Sequence, residues 1–176
     1  MNFFKKHKVL LLVMAILAMY LFFPVGKIMN PVQATAPNNF HPQSFGQPWG
    51  DHRHRGIDVF APEGTPIRAA ASGLVVWNHI ANDGEKNPYQ GGNAVDIIGM
   101  GGRFYHYSHM SEIIARPGSF VFQGEIIGKV GRTGNASRPG CPAHCHFSIG
   151  SAIPHFSNDG MSPFLLDPAK EIDNSL

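Results

Sequence analysis

Glycine and proline constrain this chain more than any other residues. Twenty glycines and 14 prolines are distributed over 176 residues, and beyond residue 40 they cut the apolar stretches into runs shorter than an ordinary helix. The surviving runs, 67–71, 73–77, 94–98, 103–107, 126–130 and 144–149, are rich in β-branched and aromatic residues, so each reads as a strand. No segment there holds a helical period for more than about two turns, and 111–115 is the likeliest short helical turn. The predicted class is mainly β, a small antiparallel sheet or sandwich. Two segments look loosely alike, one from Gly64 to Val76 and one from Gly118 to Gly128, each a glycine turn, a β-branched step, a second glycine and a strand. That likeness predicts two folded-over β-units sharing one sandwich or barrel-like core.

The N-terminal part differs in character. Lys5, Lys6, His7 and Lys8 precede an almost unbroken apolar run from Val9 to Phe23. A run of about 15 to 18 residues falls between the core of a cleaved signal and the ~20 residues of a full span. Residues 1–26 are therefore expected to form a hydrophobic helix that serves as signal-anchor or signal peptide. Residues 27–40 read as a linker, and 41–176 as the folded domain. Ala34-Thr35-Ala36 has the small-x-small form of a cleavage site but lies far beyond the run, which favours an uncleaved anchor. Lysines ahead of the run hold that end in the cytoplasm and send the remainder out. The expected location is the cell envelope, membrane-anchored or, if cleaved, secreted. The net charge of +2 belongs to this leader: Lys5, Lys6, Lys8 and Lys27 are four of 14 basic residues, which leaves ten against 12 acidic ones. No basic tract remains to bind nucleic acid. With 43% apolar and 15% charged residues, the chain is neither disordered nor fibrous.

Ten histidines carry the chemistry. In His144-Cys145-His146-Phe147-Ser148-Ile149 the period of a strand puts both imidazoles on one face. Two neutral imidazoles side by side suit a metal site better than a core. Far upstream, His54 and Asp58 are separated by three residues, with Gly56 giving the backbone room to turn. With one histidine of the later pair they make three N/O ligands, a set that leaves the fourth position of a zinc ion to water. His52 would share the face of His54 on a strand and is the rival ligand. If 103–111 is a strand, Tyr105, Tyr107 and His109 share one face and His106 lies behind it. Cys141 and Cys145 form a local disulfide or remain two thiols, and alternation points Cys145 away from the histidine face. Asp96 reads as structural, Trp49, Tyr89, Tyr105 and Tyr107 as groove or core, and 78–92 as a surface loop that could border a cleft.

Three blocks in this order, His54-Arg-Gly-Ile-Asp58, Tyr107-Ser-His109-Met-Ser111 and His144-Cys-His146-Phe147, resemble the lysostaphin and LytM-type zinc metallopeptidases of family M23. The resemblance covers roughly residues 45 to 150, including the glycine-rich stretch from Arg116 to Gly134. It implies that His54, Asp58 and His146 bind one zinc ion and that His109 and His144 are the catalytic histidines. It also implies a small antiparallel β-fold with a peptide groove, and an endopeptidase acting on the cross-links or stem peptides of peptidoglycan. Cys145 departs from the family, which usually has an apolar residue between the paired histidines, but no ligand position is lost. One alternative is a non-catalytic scaffold or activator of another wall hydrolase, which would be expected to have lost ligands. Another is a peptidase of secreted proteins or glycine-rich peptides.

Overall fold

A computed structural model describes residues 2–22, 25–33, 39–41, 43–50, 52–81, 90–155 and 161–173. The chain runs through α1 (Asn2–Phe22), β1 (Ile28–Met29), β2 (Pro48–Trp49), β3 (His52–Arg53), β4 (Ile57–Phe60), β5 (Pro66–Arg68), β6 (Gly73–His79) and β7 (Ala94–Gly99). It continues through β8 (Arg103–Ser108), β9 (Met110–Ile113), β10 (Phe120–Val121), β11 (Ile126–Val130), β12 (His144–Ser151), β13 (Leu165–Leu166), α2 (Pro168–Glu171) and β14 (Ile172–Asp173). The mainly β class is confirmed. The main sheet follows the order β10-β6-β7-β8-β12-β13, with β4 also paired to β12. A second sheet, β5-β11-β9, is antiparallel throughout.

The two look-alike segments do not form separate units. Their strands exchange partners: β5 of the first pairs with β11 of the second, while β6 of the first pairs with β10 of the second. Between the two sheets lies the core, with Ile57, Val59, Ile67, Val75, Ile97, Tyr105, Tyr107, Ile127, Val130, Phe147 and Ile149 all buried. Alternation decides which face of the main sheet does what. On β12, Cys145, Phe147 and Ile149 enter the core, and on β8 Tyr105 and Tyr107 do the same. His144, His146 and Ser148 are then left on the opposite face, together with His106 and Ser108.

Tyr107 ties the two sheets together, its hydroxyl oxygen accepting the Ala70 N–H at 2.9 Å in a fully buried setting. Burial pushes the phenol well above its ordinary range, so it stays neutral. Tyr107→Phe strands that buried amide, and the expected result is a loss of about 1–3 kcal/mol of stability. Thermal unfolding should show a lowered midpoint, whereas an unshifted midpoint would remove Tyr107 as a tie.

The structure bears on three of these readings. In the segment 111–115 there is no helical turn and residues 111–113 belong to strand β9, because Lys129 and Gly128 of β11 offer Glu112 and Ile113 a ladder that local propensity cannot match. Within the stretch expected to be a linker, Ile28, Met29 and Val32 are buried, β1 pairs with β14, and Met29 N–H donates to Ala70 O at 3.1 Å. Of the two alternatives for Cys141 and Cys145 the structure has the free thiols, with Cys145 fully buried on the core side of β12. Ala34-Thr35-Ala36, Tyr89 and most of the 78–92 loop lie outside the described residues.

Helix α1 is present, with residues 7–18 exposed. Its end meets the β7–β8 turn, where Gly101 N–H donates to Tyr20 O at 2.8 Å and the Tyr20 hydroxyl donates to Gly99 O. Among the described residues no helix is long and apolar enough to cross a membrane. The lysines at 5, 6 and 8 take up its first turns, leaving an apolar stretch shorter than the ~20 residues of a span.

Candidate metal centre and active site

The centre is assembled by pairing. Asp58 on β4 lies directly across from His146 on β12, and His144 is opposite Phe60 two positions away. Cross-strand neighbours of this kind hold their Cβ atoms within about 5 Å. His54 arrives from the segment before β4. Its backbone is fixed by Gly46 N–H donating to His54 O at 2.8 Å and by His54 N–H donating to Gln47 O at 2.9 Å. Gly56 lets that segment close over β12: a Cβ there would meet Phe147 O at 2.3 Å and His146 Cε1 at 3.0 Å.

Three donor atoms converge as a result. His54 Nε2 lies 3.0 Å from His146 Nδ1 and 3.3 Å from Asp58 Oδ1, and His146 Nδ1 lies 3.0 Å from the same Oδ1. A tetrahedral zinc with bonds of about 2.0–2.1 Å requires ligand separations of roughly 3.3–3.4 Å, close to these edges. The protons also point to a cation. His54 Nδ1 lies 3.0 Å from Ser44 O, a carbonyl that can only accept, so Nδ1 carries the hydrogen and Nε2 turns a lone pair inward. Two ring nitrogens and a carboxylate oxygen then share one small space with at most one proton among them. A divalent ion relieves all three. Among the described residues this is the group of His, Cys, Asp and Glu with ligand atoms close enough to hold a metal.

His109 and His144 complete the centre and are oriented by the same device. His144 Nδ1 donates to Pro142 O at 2.8 Å, and His109 Nδ1 donates to Thr133 O at 3.0 Å. Each therefore leaves Nε2 free of its anchoring carbonyl, and His144 Nε2 stands 3.7 Å from Asp58 Oδ1. The rings of His109 and His144 lie 4.8 Å apart, edge to face. His109 has φ +65°, the left-handed conformation that β-carbon sterics disfavour. That backbone twist ends the alternation of β8, so His109 turns to the face opposite Tyr107. Its N–H donates to Gly91 O at 2.8 Å. Nearby Gly92, at φ +63°, packs so closely that a Cβ would meet Thr133 and Gly134 backbone at 2.4 Å.

The charges follow from burial. Burial alone would raise the Asp58 carboxyl, but the hydrogen bond to His146 and the nearby His54 outweigh it and hold the group well below the usual carboxylate range. Burial, then the neighbouring His144 and His146, lowers His109 to about 4, partly offset by its bond to Thr133. Burial likewise lowers His146 despite the Asp58 bond. At neutral pH His109 and His146 are thus neutral beside one carboxylate.

A pH dependence follows for the metal-free protein. The unfolded chain takes up the His109 proton near 6.5 and the folded one only near 4, so stability present above pH 6.5 is lost as pH falls towards 4. The depressed Asp58 extends the loss below its ordinary 3.8. Calorimetry of chelator-treated protein should show the unfolding temperature dropping across this window. A temperature constant from pH 7 to 4.5 would contradict the assignment of neutral His109.

The five singled-out residues, His54, Asp58, His109, His144 and His146, are all brought together. His52 is not in the triad; it is exposed and stacks on Trp49 with ring centroids 6.5 Å apart. Tyr105 and Tyr107 are core rather than groove, and His106, expected behind the active face, lines the cleft instead. It sits on β8 opposite Ser148 and its Nδ1 lies 2.6 Å from Asp96 Oδ1. Sequence reading missed this pair because it assigned His109 to the wrong end of a regular alternation. The orienting carbonyls of Ser44, Thr133 and Pro142 carry no side-chain signal.

A groove of about 870 Å³ over the centre is lined by His54, His106, His109, His144 and His146. A three-donor group that fits a metal ion, with two further histidines beside it on a β-sheet floor, thus opens to this groove. Residues 52–156, more than half of the chain and inclusive of all five positions, match the profile of Peptidase family M23. The chain belongs to that family. It is 40% identical over 94 residues to the DD-carboxypeptidase/endopeptidase Mpg of Neisseria meningitidis, covering 53% of this chain and 19% of that protein. It is 34% identical over 115 residues to the peptidoglycan DD-endopeptidase ShyC of Vibrio cholerae, covering 64% and 24%. The chain thus spans about a fifth to a quarter of the length of these relatives. The fold matches the catalytic domain of the antimicrobial peptidase lysostaphin from Staphylococcus simulans with a TM-score of 0.59 and 30% identity, over 79% of this chain and 96% of that one.

Proposed function

We propose that the protein is a zinc-dependent endopeptidase that hydrolyses peptide bonds in the cross-links or stem peptides of peptidoglycan. The observation that carries this reading is the convergence of His54 Nε2, Asp58 Oδ1 and His146 Nδ1 on one point, with His109 and His144 beside it. Relatives named as peptidoglycan endopeptidases support the substrate. Filled ligand positions argue against the scaffold alternative.

In this reading His54, Asp58 and His146 hold the ion. Bound there, zinc supplies a Lewis acid that polarises the scissile carbonyl and lowers the pKa of water towards ~7. His144 and His109, each with Nδ1 committed to a carbonyl, present Nε2 to the reacting atoms. A neutral ring at either position can accept the proton of the attacking water, and the protonated ring then donates to the developing oxyanion or to the leaving amine. The groove floor of β8 and β12 keeps the peptide extended over the centre.

We place the work in the cell envelope. Basic residues ahead of the apolar run have the order of an export segment, and peptidoglycan lies outside the cytoplasmic membrane. The domain proper would span 41–176, with 28–32 packed onto it. The test is to incubate the protein with peptidoglycan, with and without chelator, and identify released peptides by mass spectrometry. Chelator-sensitive peptide products are expected; chelator-insensitive products, or none, would overturn the proposal.

A further inference from the structure

The groove over the metal centre carries a charge imbalance that the chemistry at its floor does not use. Arg53, Arg55 and Arg138 line it, and no aspartate or glutamate does among the described residues. Asp58 sits beneath, held by the histidines, and Asp96 is held by His106. Arg53 donates to Gly46 O at 2.7 Å. The guanidinium groups of Arg55 and Arg138 make no hydrogen bond or ion pair to any described residue, and both residues are exposed.

Their backbones are nevertheless fixed. Arg55 lies between His54 and Gly56, the two positions that close the segment over β12. It also lines a second concavity of about 830 Å³ bounded by Pro48, Met161, Phe164 and Leu165, so it stands where the two hollows join. Arg138 follows the 3-10 turn Gly134–Ser137, and its carbonyl accepts from Arg132 Nη2 at 3.0 Å and from Cys141 N–H at 3.2 Å. Two unspent guanidiniums thus flank the reacting centre from separate segments. A guanidinium fork matches a carboxylate with two parallel hydrogen bonds.

We infer that Arg55 and Arg138 are specificity residues that bind free carboxylates of the peptide next to the scissile bond, so that the preferred substrate is an anionic peptide rather than a neutral one such as oligoglycine. This rests on the endopeptidase reading for the location of the scissile bond, but binding tests it separately from cleavage. The zinc-loaded full chain is titrated calorimetrically with two peptides, alike except that one bears a free side-chain carboxylate beside the target bond and the other its carboxamide. In both, the target bond is N-methylated to prevent cutting.

The carboxylate peptide is expected to bind about five- to tenfold more tightly at low salt, with the advantage shrinking as salt rises. Arg55→Gln and Arg138→Gln should each reduce the preference, and the double variant should abolish it. Equal affinities of the unsubstituted protein for the two peptides would overturn the inference, as would a preference that survives both substitutions. The comparison on the unsubstituted protein stands even if a variant fails to fold. Failure to digest peptidoglycan would sink the endopeptidase reading while leaving a measured carboxylate preference intact.

Discussion

Replacing Asp58 with alanine is expected to empty the metal centre and abolish turnover. Asp58 is the one anion among three donors, held ionised by His146 and His54 at 3.0 and 3.3 Å. Without it two neutral imidazoles face a dication alone. Losing only an outer partner of a metal ligand costs roughly 10- to 100-fold in affinity or activity, and losing a ligand should exceed that. Metal analysis after dialysis and product release from peptidoglycan measure both consequences. A variant that keeps one ion per chain at undiminished affinity would remove Asp58 from the site. The fold should survive, since a lone buried charge is removed rather than created.

His144→Ala and His109→Ala should behave in the opposite way, keeping the metal and losing turnover by ~10²- to 10⁴-fold each. Neither belongs to the three-donor group, yet both direct Nε2 towards it. For His109 the backbone must be separated from the ring, because its φ of +65° favours few residues. His109→Asn tolerates that conformation and removes the imidazole, so it should match the alanine variant in rate and exceed it in stability. Loss of metal alongside turnover in either variant would make these residues ligands instead. Retained turnover in both would leave the centre without an acid-base group.

The sequence disclosed the site more fully than the fold. His144 and His146 could be placed on one face because a strand has a period of two, and β12 keeps that period over eight residues. His54 and Asp58 were legible through their spacing around Gly56. The same period misled at 105–109, where a left-handed residue reverses the face, so His106 and not Tyr107 borders the groove. Nothing local marks such a reversal at a histidine. The burial of Ile28 and Val32 was hidden for another reason: their partners, Ile172 among them, lie at the far end of the chain, and polar, proline-bearing composition described the stretch without reporting what it packs on. Exchange of partners between the two look-alike segments was equally invisible, because both pairings satisfy the same apolar pattern.

Main-chain carbonyls, not side chains, set the tautomers of His54, His109 and His144. At Thr133 the side chain also matters, its Oγ1 accepting the Asn93 N–H and donating to Met110 O, each at 2.9 Å, but an alanine scan of Ser44 and Pro142 would leave each acceptor standing, and these two positions would look dispensable despite their service. Drift in residue identity can pass through them without disturbing proton inventory, while a one-residue insertion in any of the three loops would misdirect a ring. In comparisons among relatives, loop length at these places should be guarded more strictly than spelling.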